Sequence, residues 1–314
     1  MTVTVLYIAG LGRSGSTLLE RILARVPGYV PVGEVVFLWE RGLRDNELCG
    51  CGVRFRQCPF WTRVGEEAFG GWEALDVDQV LALRHRVDRH RYVAALLAPR
   101  LWPAFHRELR RYAALLERLY LAIGKVSGAE VVVDSSKEPS YAFLLRHVRG
   151  VRLRVVHLVR RSHGVAFSVS KKVERPEAVG AKAYMATRPP AGTALEWLVD
   201  NTVLDLLPAV GTPALRLRYE SLVSSPREQV AAVLGHAGRP ATGLALDRID
   251  HGSVELATDH TVSGNPLRFR NGRVELRVDD AWRRGMARRD RLAVTAITWP
   301  LLLRYGYRRS DPPC

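Results

Sequence analysis

The chain has 314 residues, 47% hydrophobic and 25% charged, proportions ordinary for a folded globular protein and enough for a sizeable core. No apolar run approaches the ~20 residues of a membrane span, and no basic stretch precedes the first apolar run as in a secretory signal, so the chain is expected in the cytoplasm. The formal net charge of +15 is almost all arginine, scattered along the chain, with lysine only at Lys125, Lys137, Lys171, Lys172 and Lys182. With no basic tail and no basic stripe interleaved with aromatics, it argues against a nucleic-acid partner, and a polyanionic small ligand accounts for part of it.

The first element is the apolar run Val3-Thr4-Val5-Leu6-Tyr7-Ile8-Ala9, a core strand. It leads into Gly10-Leu11-Gly12-Arg13-Ser14-Gly15-Ser16-Thr17 and a helix over about Thr17 to Arg25, ended by Pro27-Gly28. Strand, glycine-rich turn and helix start together make a phosphate cradle, because loop N–H groups and the helix dipole converge on one anion site. The spacing Gly10 to Gly15 is that of a P-loop, but Ser16 stands where nucleoside triphosphatases carry lysine, and Arg13 places a permanent cation in the loop.

Residues 29–72 are rich in Gly, Trp and Phe and read as irregular. Residues 75–124 read as two helices, with Val80, Leu81, Leu83, Val87 and Leu115, Leu116, Leu119 at helical spacing. This block interrupts an α/β pattern, and we read it as an insertion shaping a cleft within a single domain over 1–314. The pattern resumes with strands at 130–134, 151–159 and 214–219, each followed by a helix. The fold class expected is therefore α/β, a three-layer doubly wound parallel sheet. In such sheets ligands sit beyond the carboxyl ends of strands. Lys137 lies three residues past one strand, within reach of the cradle. Arg160 leaves another, and Ser168 follows eight residues on, two turns into a helix, a spacing that grips a second phosphate from two sides.

At these positions the chain resembles the sulfotransferases that use 3′-phosphoadenosine 5′-phosphosulfate. Gly12, Arg13, Ser14, Gly15, Ser16 and Thr17 look like the family's phosphosulfate loop, and Arg160 with Ser168 like its 3′-phosphate motif. Arg218-Tyr219-Glu220-Ser221-Leu222 resembles the segment whose tyrosine lies beside the adenine, and Ser263-Gly264-Asn265-Pro266-Leu267-Arg268 a cofactor-covering loop of bacterial members. The resemblance implies a P-loop-like fold and sulfuryl transfer to a small-molecule acceptor, a hydroxyl of a natural product, glycan or lipid-linked compound, leaving 3′-phosphoadenosine 5′-phosphate. It implies Arg13 and Lys137 as cations at the bridging oxygen, Tyr219, Asn265 and Arg268 at the cofactor, and no metal requirement. The histidine that the cytosolic branch carries after the lysine is replaced by Glu138-Pro139, so Glu34, in Gly33-Glu34, becomes the candidate general base. Glu138, His163 and a histidine of the helical block stand behind it. A P-loop kinase and a non-catalytic nucleotide-binding module are the competing readings.

Other features have plainer readings. Cys49, Cys51 and Cys58 lack a clear fourth ligand and read first as reduced, packed thiols and only second as a structural zinc site; Cys314 is terminal. Trp39, Phe60 and Trp61 read as an acceptor pocket or as a small core. Arg161 reads as a solvated neighbour of Arg160, and His157 as a core histidine.

Overall fold

Alternation along the first strand sorts the interior into two layers. In the computed structural model, which describes residues 2–178, 183–239, 249–250 and 252–307, β1 (Val3–Ala9) is the middle strand of a five-stranded sheet. Val5 and Tyr7 face a core shared with the helical block, whereas Leu6 and Ile8 face a second core with the helices of the opposite layer. A strand buried on both faces must be apolar throughout, which is why this run does not alternate with polar residues.

The sheet order is β2 (Tyr29–Gly33), β3 (Val131–Lys137), β1, β4 (Val151–Val159) and β7 (Ala214–Arg218), with two-residue strands β5 (Glu174–Arg175) and β6 (Ala183–Tyr184) pairing apart from it. All four pairings are parallel, with Val5 opposite Val132 on one side and Leu153 on the other. Every carboxyl end therefore lies along one edge. The three-layer parallel sheet expected from the sequence is the observed architecture.

On one face, α5 (Pro103–Ser127) packs against α2 (Pro59–Phe69) and α3 (Val77–Val87), and its Leu116, Tyr120 and Ile123 join the core under β1. The block at 75–124 thus holds three helices rather than two, with α4 (Val93–Leu97) followed by a turn that starts at Pro99, and α6 (Pro139–Leu145) follows β3. Residues 29–72 are more regular than their composition suggests: they contain β2, a π-helical segment at Leu38–Arg44 and α2. Glycines at 33, 42, 50 and 65 break up the apolar spacing that would have shown this. Trp39 and Trp61 are fully buried with Phe55, Phe69 and Trp72, so these aromatics form a core and not a pocket wall.

On the other face, α1 (Ser16–Leu23) carries two adjacent ionisable residues that are almost wholly buried, Glu20 and Arg21. Arg21 pairs with Asp259 at 2.9 Å and donates to the carbonyls of Ala257, Leu267 and Arg270 at 2.6–2.9 Å. These partners lie in the strap between β9 (Ser253–Leu256) and β10 (Gly272–Glu275), strands that form a small antiparallel sheet with β8 (Ile249–Asp250). One buried guanidinium thereby fixes a long excursion over the sheet edge; removing one partner of such a pair costs about 3–5 kcal/mol. No helix among the described residues is long and apolar enough to cross a membrane.

Candidate functional site

Five strand ends each deliver one candidate side chain to the same edge. β1 is followed by Arg13, β2 by Glu34, β4 by Arg160 and β7 by Tyr219, while Lys137 is the last residue of β3.

The loop after β1 turns through Arg13 at φ 70° and Gly15 at φ 94°, and Gly15 opens α1 with no side chain capping the helix. The first N–H groups of α1 therefore point into the loop without intrahelical acceptors. At Gly15 a Cβ would also lie 2.6 Å from the Tyr219 ring, so only glycine lets that ring close over the cradle. Ser14, Ser16 and Thr17 are buried here. Arg13 Nη2 is buried with no hydrogen-bond partner, and burial together with the nearby Arg160 cation pulls the Arg13 pKa below its ordinary value. Two neighbouring guanidiniums at an uncapped helix start make a site suited to an anion.

Arg160 is fixed from three sides. It donates to the Arg13 carbonyl at 2.9 Å and to the Asp279 carboxylate at 3.0 Å, and lies 4.7 Å over the Tyr219 ring. It rests against Gly164 of α7 (Ser162–Val169), where a Cβ would come within 2.9 Å of its Nε. Ser168 is one turn further along that helix, half-buried, on the same face.

Lys137 adopts φ 69°, the second non-glycine residue of the site held in the left-handed region. Such strain persists where surrounding structure over-determines it, and it clusters at functional sites. Here it aims Nζ at Glu34 Oε1, with a second bond to the Ser135 carbonyl at 3.0 Å. Below, Asp134 accepts from the Ser136 N–H at 2.8 Å and from the Tyr120 hydroxyl, fixing the irregular end of β3 before Lys137. Burial pushes its pKa up to about 6. Glu34 is itself tied to the strap, its N–H donating to the Val262 carbonyl at 2.7 Å. A Cβ on Gly33 would strike that same carbonyl at 2.3 Å, which explains the glycine before the glutamate. Gly264 lies over both: a Cβ there would sit 3.6 Å from Glu34 Oε1 and 3.7 Å from Thr17 Oγ1.

The remaining candidates separate. Asn265 uses its side chain to cap Leu267 N at 3.0 Å within the strap. Arg268 does not offer its charge to the cradle: its fully buried guanidinium donates to the carbonyls of Thr261 and Leu48, so its role is to hold the strap down. His163 is buried, bonds Thr295 at 2.9 Å, packs on Trp282, and is pushed down to about 4 by burial and Arg161. His157 is a core histidine, 2.8 Å from Asn201. Arg161 is not a freely solvated charge; it is half-buried between the Trp282 and Tyr307 rings, which its apolar neighbours on α7 draw around it. The helical block does contribute a histidine: His90 lies 3.7 Å from Glu138 and 3.5 Å from Asp200. Asp200 is buried and pushed up to about 8 by desolvation and Glu138. Glu20, Arg21 and Asp279 are further residues that shape the site. For the first two the available signal was a charged pair within the apolar helix STLLERIL.

The sequence profile described as the Sulfotransferase family matches residues 6–243. Among solved structures, the sulfotransferase domain of the Synechococcus PCC 7002 olefin synthase superposes with a TM-score of 0.51 at 20% identity, covering 96% of this chain and 94% of that one. The sulfotransferase domain of the curacin biosynthetic pathway gives 0.49 at 15% identity, over 96% and 98%. A sulfotransferase of Mycobacterium avium gives 0.48 at 12%, over 98% and 78%. No curated protein matches the chain. With the parallel sheet and its loop of the P-loop-like kind in place, and a profile match over more than half its length, the chain belongs to the sulfotransferase family.

Proposed function

We propose that the protein transfers a sulfuryl group from 3′-phosphoadenosine 5′-phosphosulfate to a hydroxyl of a small-molecule acceptor. The observation that carries this reading is the pairing of Arg13 and Arg160 beneath the uncapped start of α1, with Arg13 Nη2 buried and unpartnered. Such an arrangement fits a ligand with two anionic groups better than a mononucleotide with one. The N–H groups of Gly15 to Thr17 and Arg13 would hold the 5′-phosphosulfate, Arg160 and Ser168 the 3′-phosphate, and Tyr219 the adenine side.

The bound donor supplies an activated sulfuryl group whose transfer leaves a phosphate. Lys137 and Arg13 would stabilise the charge that develops at the bridging oxygen as the sulfur–oxygen bond breaks, an electrostatic role needing only fixed, desolvated cations. Glu34 would accept the acceptor hydroxyl's proton as the new sulfur–oxygen bond forms. Its Oε1 meets Lys137 Nζ, which would set the base and the cation side by side at the reacting centre. A kinase reading is disfavoured by Asp134, the acid within β3 that a magnesium site would use: it is fully buried and committed to Tyr120 and Ser136.

The direct test supplies sulfur-labelled donor with a panel of hydroxylated acceptors and follows the gain of one sulfuryl mass. Failure of the chain to bind 3′-phosphoadenosine 5′-phosphate more tightly than AMP would count against the donor assignment.

A further inference from the structure

The geometry points to a structural zinc site formed by Cys49, Cys51, Cys58 and His260, clamping the strap that carries Glu34's main-chain partner. The ligand atoms of these four residues all lie within 4.8 Å of one another. Cys51 Sγ and Cys58 Sγ are 3.7 Å apart, and His260 Nδ1 is 3.2 Å from Cys58 Sγ and 4.0 Å from Cys49 Sγ. A tetrahedral zinc with Zn–S bonds of about 2.3 Å requires sulfur–sulfur edges of about 3.8 Å and slightly shorter sulfur–nitrogen edges. These three spacings lie within about half an ångström of the tetrahedral edges, and no two donors are more than 4.8 Å apart, so small side-chain shifts would close the site.

The backbone explains why they converge. Cys49 and Cys51 flank a tight turn closed by Cys49 N to Val53 O and Gly52 N to Cys49 O, each 2.8 Å. Cys58 sits at the start of α2. His260 arrives from 202 residues away in sequence and is docked independently of any metal. Its carbonyl accepts from Trp61 Nε1 at 2.7 Å, its ring stacks on Phe60, and the next carbonyl, Thr261, accepts from Gly50 N at 2.9 Å. Three thiolates and a neutral imidazole around Zn²⁺ leave one net negative charge, and Arg268, buried and bonded to the Leu48 carbonyl just before Cys49, supplies a cation beside it. Cys49 and Cys58 are buried, while Cys51 and His260 are half-exposed, which leaves a path for the metal.

The consequence reaches the catalytic edge without placing metal there. Two residues after His260, Val262 donates to Val32 O at 2.9 Å and accepts from Glu34 N at 2.7 Å. Zinc would therefore join the Cys49–Cys58 loop, the strap and the Glu34 backbone into one rigid unit.

The experiment measures zinc in the full chain purified without chelator, by mass spectrometry, alongside thiol titration of the native protein. One zinc per chain is expected, with three of the four cysteines protected until a chelator is added. Cys51→Ser and His260→Ala should each lower zinc content at least tenfold, whereas Cys314→Ser should leave it at one per chain. Should either ligand variant fail to fold, the wild-type stoichiometry, and cobalt substitution giving the thiolate charge-transfer absorption of a tetrahedral sulfur site, decide alone. Zinc below about a tenth per chain after zinc supplementation, with every thiol reactive at once, would overturn the proposal, as would full zinc retention in a folded Cys51→Ser, His260→Ala double variant.

Discussion

The guanidinium of Arg160 holds the carboxylate of Asp279 at 3.0 Å while its other nitrogen bonds the carbonyl of Arg13 at 2.9 Å. The arginine assigned to the 3′-phosphate is therefore already engaged by an internal anion, which an incoming phosphate must displace. Asp279 is exposed, and its bond to Arg160 holds it below the usual carboxylate range against a partial desolvation that acts the other way. Replacing Asp279 by Asn should tighten 3′-phosphoadenosine 5′-phosphate binding by about three- to tenfold, the scale of a partly exposed ion pair. Arg160→Ala should weaken that ligand strongly and leave AMP almost unchanged. Calorimetry on both variants checks this; weaker bisphosphate binding by Asp279→Asn would show that the carboxylate supports the site instead of competing for it.

Lys137 and Arg13 are expected to act on the transition state more than on binding. Lys137→Ala and Arg13→Ala should each reduce kcat by on the order of 10²–10³. Acceptor KM should change much less. Steady-state kinetics distinguish the two effects, and a change confined to KM would reassign the residue to ground-state binding. Lys137→Ala also removes the partner of Glu34, so its loss combined with Glu34→Gln should be smaller than the sum of the separate losses.

The parts of this site that could be read from sequence are those built locally. Gly10 to Thr17 announces strand, turn and helix within fifteen residues, and the apolar runs before Lys137 and Arg160 mark strands whose parallel pairing forces their ends together. What could not be read depends on partners far apart in the chain. His260 joins Cys58 across 202 residues, and Arg268 resembles a cofactor ligand until the carbonyls of Thr261 and Leu48 are seen to consume it. The segment at 29–72 failed for another reason: its glycines serve close approaches, such as Gly33 against Val262, and so imitate loop punctuation.

Glu34→Gln should preserve the shape of the site and donor affinity while cutting kcat by about 10²–10⁴, since an amide cannot accept the acceptor's proton. The acidic limb of the wild-type pH–rate profile should flatten in the variant. Near-normal turnover of Glu34→Gln on a true acceptor would exclude it as the base and direct attention to Glu138 and His90, which lie together on the helical-block side.

Glu20 supplies a pH dependence that belongs to stability rather than to chemistry. Its carboxyl is buried beneath the site, accepting from Gly33 N at 2.6 Å and Ser135 Oγ at 2.7 Å, and burial pushes its pKa from 4.5 up to about 8. Between those values the folded chain keeps a proton that the unfolded chain has released. Folding is therefore favoured by this group at low pH, and its contribution is lost as pH rises toward 8. A glutamine has the same shape, accepts from Gly33, donates to Ser135 and never ionises. Glu20→Gln should match the wild type within about 1 kcal/mol near pH 5 and exceed it near pH 8.5, by an amount on the order of 1–4 kcal/mol. Urea unfolding at the two pH values measures this directly. Parallel profiles for the two proteins would mean that Glu20 is ionised in the folded state and that the Ser135 and Gly33 donors outweigh its burial.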